Sequence, residues 1–156
     1  MRNFRTYEIW QNAVDLAVSV STLCDGFPKY ELFALGDQLR RASVSISSNI
    51  AEGASRTSVA EFAHYLEISI GSAFEVETQL LIARKRNYIT KEAYESLVPQ
   101  LQYLERQINS FISKIRPTAN SQKLTANSQK PKANSQKPTA KDQKLTAKSQ
   151  PLKANS

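Results

Sequence analysis

The chain has 156 residues, one cysteine, one histidine and a formal net charge of +7, a length that suits one ordinary domain. One cysteine excludes an internal disulfide framework. One histidine with one cysteine excludes a four-ligand zinc site of the usual kind, and no apolar run approaches the eighteen or so residues a membrane span needs. The first 117 residues hold thirteen Lys or Arg and thirteen Asp or Glu, whereas residues 118–156 hold eight lysines and one acid, Asp142. All the excess charge therefore rides on the C-terminal stretch. The opening MRNFRTYEIWQN lacks an apolar signal core and reads as mature protein, which with the lone cysteine predicts a reducing, cytoplasmic setting. Cys24 reads as a small apolar residue on a helix rather than a reactive thiol.

Four helices are expected in chain order. Ile9, Ala13, Leu16, Val20 and Leu23 recur at steps of four and three, widened by Trp10, Val14 and Ala17. They predict a helix over about residues 4–24, stopped by Gly26 and Pro28. Leu39, Ser43, Ile46 and Ile50 share the face of a second helix over about 37–52, with Asp37 as N-cap and Gly53 as terminator. Ser58 and Glu61 have capping-box spacing and open a third helix over about 59–86. Its stripe is Phe62, Leu66, Ser69, Ala73, Val76, Leu80 and Ala83. After the link NYIT, with Thr90 as N-cap, the stripe Tyr94, Leu97, Leu101, Leu104, Ile108, Phe111 and Ile115 predicts a fourth helix over about 91–116. Pro99 should kink it and Pro117 should end it. The short links and heptad-like stripes predict an all-α, antiparallel up-down-up-down four-helix bundle over residues 1–117.

From Thr118 the sequence repeats every seven residues, as TANSQKL, TANSQKP, KANSQKP, TAKDQKL, TAKSQPL and KANS. A coiled coil needs two apolar positions per heptad and no recurrent proline. Here the single apolar position alternates between leucine and proline, so residues 118–156 are expected to be disordered. The tail reads either as a slippage-derived extension without a role or as a basic arm for phosphate backbones, without aromatics for base stacking.

The stretch SVSISSNIAEGASR at residues 43–56 raises a different question. Arg41, Ser45, Ser48, Asn49 and Glu52 fall on one polar face of short side chains. The third helix offers Gly71, Ser72, Glu75, Thr78 and Gln79. A glycine inside a helix costs about 1 kcal/mol relative to alanine, which close packing can offset. The two surfaces read as helix–helix contacts, within or between subunits, with a solvated small-residue face as the alternative.

The run from Gln38 to Gly53, QLRRASVSISSNIAEG, and the segment Phe62–Thr78 with IGSAFEVET resemble the 23S rRNA intervening-sequence proteins, the S23-type four-helix bundle family. Tyr7-Glu8-Ile9-Trp10 and Phe27-Pro28 fit the same pattern, and the resemblance covers about residues 4–116. The family's motif positions fall on Arg41, Ser45, Asn49, Glu52, Gly53, Arg56, Gly71, Ser72 and Glu75. Pro99 and the heptad tail depart from it. The resemblance implies a bacterial homo-oligomer, a pentamer, with some relatives encoded inside large-subunit ribosomal RNA genes. Others resemble the accessory variability protein of diversity-generating retroelements, a basic pentamer that works with a reverse transcriptase and nucleic acid.

No catalytic residues, cofactor, metal or small-molecule substrate are expected. Glu61 and His64 make only half of a di-iron motif, and the four glycines are too scattered for a phosphate loop. Arg40, Arg41, Arg56, Arg84, Lys85 and Arg86 are the candidate nucleic-acid ligands, if the turns bring them together. The competing reading pairs some of them with Glu31, Asp37 or Glu52. Two functions follow: an oligomeric, non-enzymatic bundle that binds RNA or other nucleic acid as scaffold or adaptor, or a protein–protein interaction module with no nucleic-acid role.

Overall fold

The computed structural model describes residues 2–128. A single 3-10 turn, Phe4–Thr6, precedes four helices: α1 Glu8–Cys24, α2 Leu35–Ser55, α3 Val59–Lys85 and α4 Lys91–Ser128. Each helix packs on its sequence neighbours, and α4 closes the ring on α1. Neighbours run in opposite senses. Along the α3–α4 seam Glu67 meets Arg116, and one helical stretch later Glu77 accepts from Gln102 at 2.8 Å. As α3 advances, α4 recedes. This is the up-down-up-down bundle that the apolar rhythm predicts. Among the described residues no helix is long and apolar enough to cross a membrane.

The stripes read from the sequence form the core. Leu39, Ile46, Ile50, Phe62, Leu66, Val76, Leu80, Leu101, Leu104 and Ile108 are essentially inaccessible to solvent. Each such side chain contributes roughly 1.5–3 kcal/mol through burial. Cys24 lies among them, and burial pushes its thiol from 9.0 to about 11. A thiol held protonated at neutral pH is inert.

The helix ends differ from expectation in instructive ways. Tyr7 is extended rather than helical, at φ −83° and ψ 119°, so α1 starts four residues later than its pattern suggests. Its ring packs 5.1 Å from that of Phe111 and 6.1 Å from that of Phe62. Aromatic pairing of this kind outweighs the few tenths of a kcal/mol per residue that another helical turn supplies. Asp37 lies inside the first turn of α2, after Ala34 at the cap, where its charge favours the helix dipole. Ser58 does cap α3, accepting from the Glu61 amide at 3.3 Å. Thr90 caps α4, accepting from the Ala93 amide at 3.2 Å.

α3 stops at a feature that the sequence reading passed over. Asn87 adopts φ 59°, the Tyr88 amide donates back to the Ala83 carbonyl at 2.9 Å, and the Asn87 amide donates to the Arg84 carbonyl at 3.1 Å. That pair of bonds is a Schellman closure, with asparagine taking the left-handed position. Pro99 sits within an unbroken α4. α4 passes through Pro117 as well, where proline's φ is helical but the ring removes one main-chain hydrogen bond and crowds the carbonyl four residues back. α4 is described as far as Ser128, which takes in the first residues of the repeat. The rest of the repeat, residues 129–156, lies outside the described residues.

Candidate nucleic-acid interface and the α2–α3 seam

Small side chains let α2 and α3 approach closely. At mid-seam the Ser45 and Ser72 hydroxyls share a hydrogen bond of 2.9 Å, and the Asn49 amide donates to the Ser45 carbonyl at 2.8 Å and hydroxyl at 3.0 Å. Deeper in, the buried Ser69 hydroxyl donates to the Ile46 carbonyl at 2.9 Å. Gly53 is the tightest point. A Cβ there would stand 2.6 Å from the Tyr65 Cβ and 2.9 Å from Cδ2 of Phe62. Gly53 therefore lies inside α2 and is buried, rather than ending the helix as expected. Its conformational cost is offset by the approach of two aromatic side chains.

Next to it Glu52, Arg56 and Tyr65 form a closed polar group. Glu52 accepts from the Tyr65 hydroxyl at 2.9 Å, and the Arg56 guanidinium donates to both. The guanidinium also lies over the Tyr65 ring, 4.6 Å from its centroid. The bond to Glu52 holds the phenol proton and raises the Tyr65 pKa above its ordinary 10.0. Arg2 reaches the same place, over the Phe62 ring at 5.0 Å and onto the Arg56 carbonyl.

Farther along, Glu75 accepts from the Gln79 amide at 2.8 Å. It shares with Gln38, Arg41 and Ser45 a cleft of about 280 Å³. Gly71 lies on the outer face of α3, where a Cβ would meet nothing within 4 Å. Ile68 and Phe74 beside it, and Leu81 and Ile82 about 15 Å farther along α3, are exposed, Phe74 by 54%.

The six candidate cations separate into two groups. α2 begins where α3 ends, so Arg40, Arg41, Arg84, Lys85 and Arg86 gather at one end of the bundle. Arg56 lies at the other end, fifteen residues from Arg41 and hence about 22 Å along α2. Within the gathered group Arg40 is committed, at 2.9 Å to Asp25 and 3.6 Å to Asp37. Arg84 reaches the Asn87 side chain at 3.5 Å, and Arg86 donates to the Tyr88 hydroxyl at 3.0 Å. Among the described residues, Arg41, Arg84, Lys85 and Arg86 have no carboxylate within ion-pair distance. The sequence reading missed Tyr88, whose hydroxyl donates to the Glu31 carboxylate at 2.9 Å and so ties the α3–α4 turn to the α1–α2 connection. A tyrosine inside a four-residue link was the available signal.

His64 is exposed and 3.9 Å from Glu67. Among the described residues no three His, Cys, Asp or Glu side chains group as metal ligands.

Comparison with known proteins points to one family. The family model described as 23S rRNA-intervening sequence protein matches residues 5–110. The fold is similar to the crystal structure of a protein of unknown function from the S23 ribosomal protein family of Bacteroides thetaiotaomicron. The two share 28% sequence identity and a TM-score of 0.63 over 67% of this chain and 97% of that one. Among curated proteins none matches.

Proposed function

The chain belongs to the 23S rRNA-intervening sequence protein family, and on that premise we propose that it is a non-catalytic, self-associating bundle that holds RNA or another nucleic acid as a cytoplasmic scaffold or adaptor. One observation carries the reading: Arg41, Arg84, Lys85 and Arg86 converge on one end and none has a carboxylate partner among the described residues. A phosphate backbone supplies the missing counter-charge. Arg40 and Arg56 contribute little, since acids in the chain already engage them. Self-association is supported by the exposed apolar side chains around Gly71 on α3, and the family resemblance suggests five subunits.

A gel shift with structured RNA at about 50 mM salt tests the binding. Four phosphate contacts predict a loss of roughly a hundredfold in affinity between 50 and 200 mM salt. No retardation at low salt would end the reading. Light scattering tests assembly, with a mass of several times 17.5 kDa expected.

The exposed apolar face of α3 also favours a second reading, a protein–protein module with no nucleic-acid role. One stoichiometric protein partner that survives nuclease, with no RNA retained, would support it over the first.

A further inference from the structure

We propose that the basic end of the bundle stacks unpaired bases on Tyr30 and Phe33, so that its preferred ligand is single-stranded or looped nucleic acid rather than duplex. This rests on the nucleic-acid reading above and narrows its ligand. Tyr30 is 72% exposed and Phe33 85%, the two most exposed large hydrophobic side chains of the described residues. Both lie in the connection between α1 and α2, at the end where the unpaired cations gather.

The connection is tied down. The Glu31 amide donates to the Pro28 carbonyl at 2.8 Å, and the Gly36 amide donates to the Glu31 carbonyl at 2.9 Å. Glu31 accepts from the Tyr88 hydroxyl, and the buried Phe27 ring packs 6.0 Å from that of Tyr88. The Tyr30 ring meets the Tyr88 ring edge-on at 6.3 Å, and the Arg86 guanidinium covers Tyr88 at 5.5 Å. Tyr30, Tyr88 and Arg86 thus form one contiguous cluster of flat groups, whose outer member, Tyr30, stands across Tyr88 with its own ring exposed. Phe33 stands beside it on the same short connection.

The electrostatics decide between a polyanion and an ordinary protein partner. Asp25 and Asp37 are held by Arg40, Glu31 by Tyr88 and Glu95 by Lys91 at 3.6 Å. Glu31, whose charge a neutral phenol leaves in place, and Glu92 remain at this end, and Glu75 lies in the cleft beside Arg41. Against these three stand five cations, Lys29, Arg41, Arg84, Lys85 and Arg86, with no carboxylate within ion-pair distance among the described residues. Exposed aromatics at an end that also carries cations without carboxylate partners match a strand whose phosphates meet the cations and whose bases lie open to the rings. A duplex hides those base faces.

Fluorescence anisotropy on the full chain tests this, using a twelve-nucleotide single strand and a duplex of the same sequence at about 50 mM salt. The expected result is tighter binding of the single strand, a loss of about tenfold on Phe33→Ala or Tyr30→Ala, and little change for the duplex. A strand carrying 2-aminopurine should be quenched by the wild type and not by the double variant. Both side chains are exposed, so melting temperature should hold. If strand and duplex bind equally and neither alanine changes either, stacking is refuted while phosphate binding stands. If neither nucleic acid binds, the underlying reading fails, and the inference with it.

Discussion

Arg56 and Arg41, at opposite ends of α2, are held in different states. Where α2 hands over to α3, Arg56 is shared among Glu52, Tyr65 and a ring face, Arg2 covers Phe62, and Arg116 meets Glu67. Where α2 begins and α3 ends, Arg40 is held by Asp25 and Asp37, whereas Arg41 and Lys85 are exposed and have no carboxylate within ion-pair distance among the described residues. Equal charges in a sequence thus do unequal work. A cation already satisfied by its own chain holds helices in place, whereas an unsatisfied one is free to meet a phosphate.

The largest effect should come from the closed end. Gly53→Ala forces a methyl against Tyr65 and Phe62, and overpacking of this kind costs about 1–3 kcal/mol. Urea denaturation should show that loss. The same change at Gly71, which meets nothing within 4 Å, should stabilise the isolated subunit by up to about 1 kcal/mol. A stabilised Gly53→Ala would mean that the seam is looser than the contacts indicate.

Arg56→Ala should cost about 1 kcal/mol, combining a partly exposed ion pair with a guanidinium–ring contact. Nucleic-acid affinity should stay unchanged. The pH dependence sharpens the point. Because Glu52 raises the Tyr65 pKa above 10.0, the bond's contribution is complete below pH 10.0. It is lost as pH rises through the higher folded-state value. Tyr65→Phe should therefore melt lower than wild type at pH 8, and the gap should narrow above pH 10.

The smallest effect on stability belongs to the open end. Arg41→Ala with Lys85→Ala should shift unfolding by no more than about 0.5 kcal/mol, as for other surface substitutions. A larger loss would show that these residues, too, are structural.

The helix faces were legible because steps of three and four repeat over long spans, from Phe62 to Ala83 and from Leu97 to Ile108. The terminators were less so. A glycine after a helical pattern normally marks its end, and only the Tyr65 and Phe62 rings reveal that Gly53 is a point of close approach. Pro117 carries a helical φ, so its presence alone does not fix a boundary. The seam residues Ser45, Asn49 and Ser72 could be placed on facing surfaces from spacing. The state of each arginine could not. Arg40 finds Asp25, fifteen positions away, across the α1–α2 connection, and Tyr88 joins two connections through a residue 57 positions away. Such pairings depend on the packed ends, which no local pattern encodes.

The central claim is that Arg41 and Lys85 are available to a phosphate where Arg56 is not, and the slope of log affinity against log salt tests it most directly. Each Lys or Arg that contacts phosphate adds about one to that slope. Against wild type, Arg41→Ala with Lys85→Ala should reduce it by about two, and Arg56→Ala should leave it alone. An unchanged slope in the double variant, or an equal reduction from Arg56→Ala, would contradict the account.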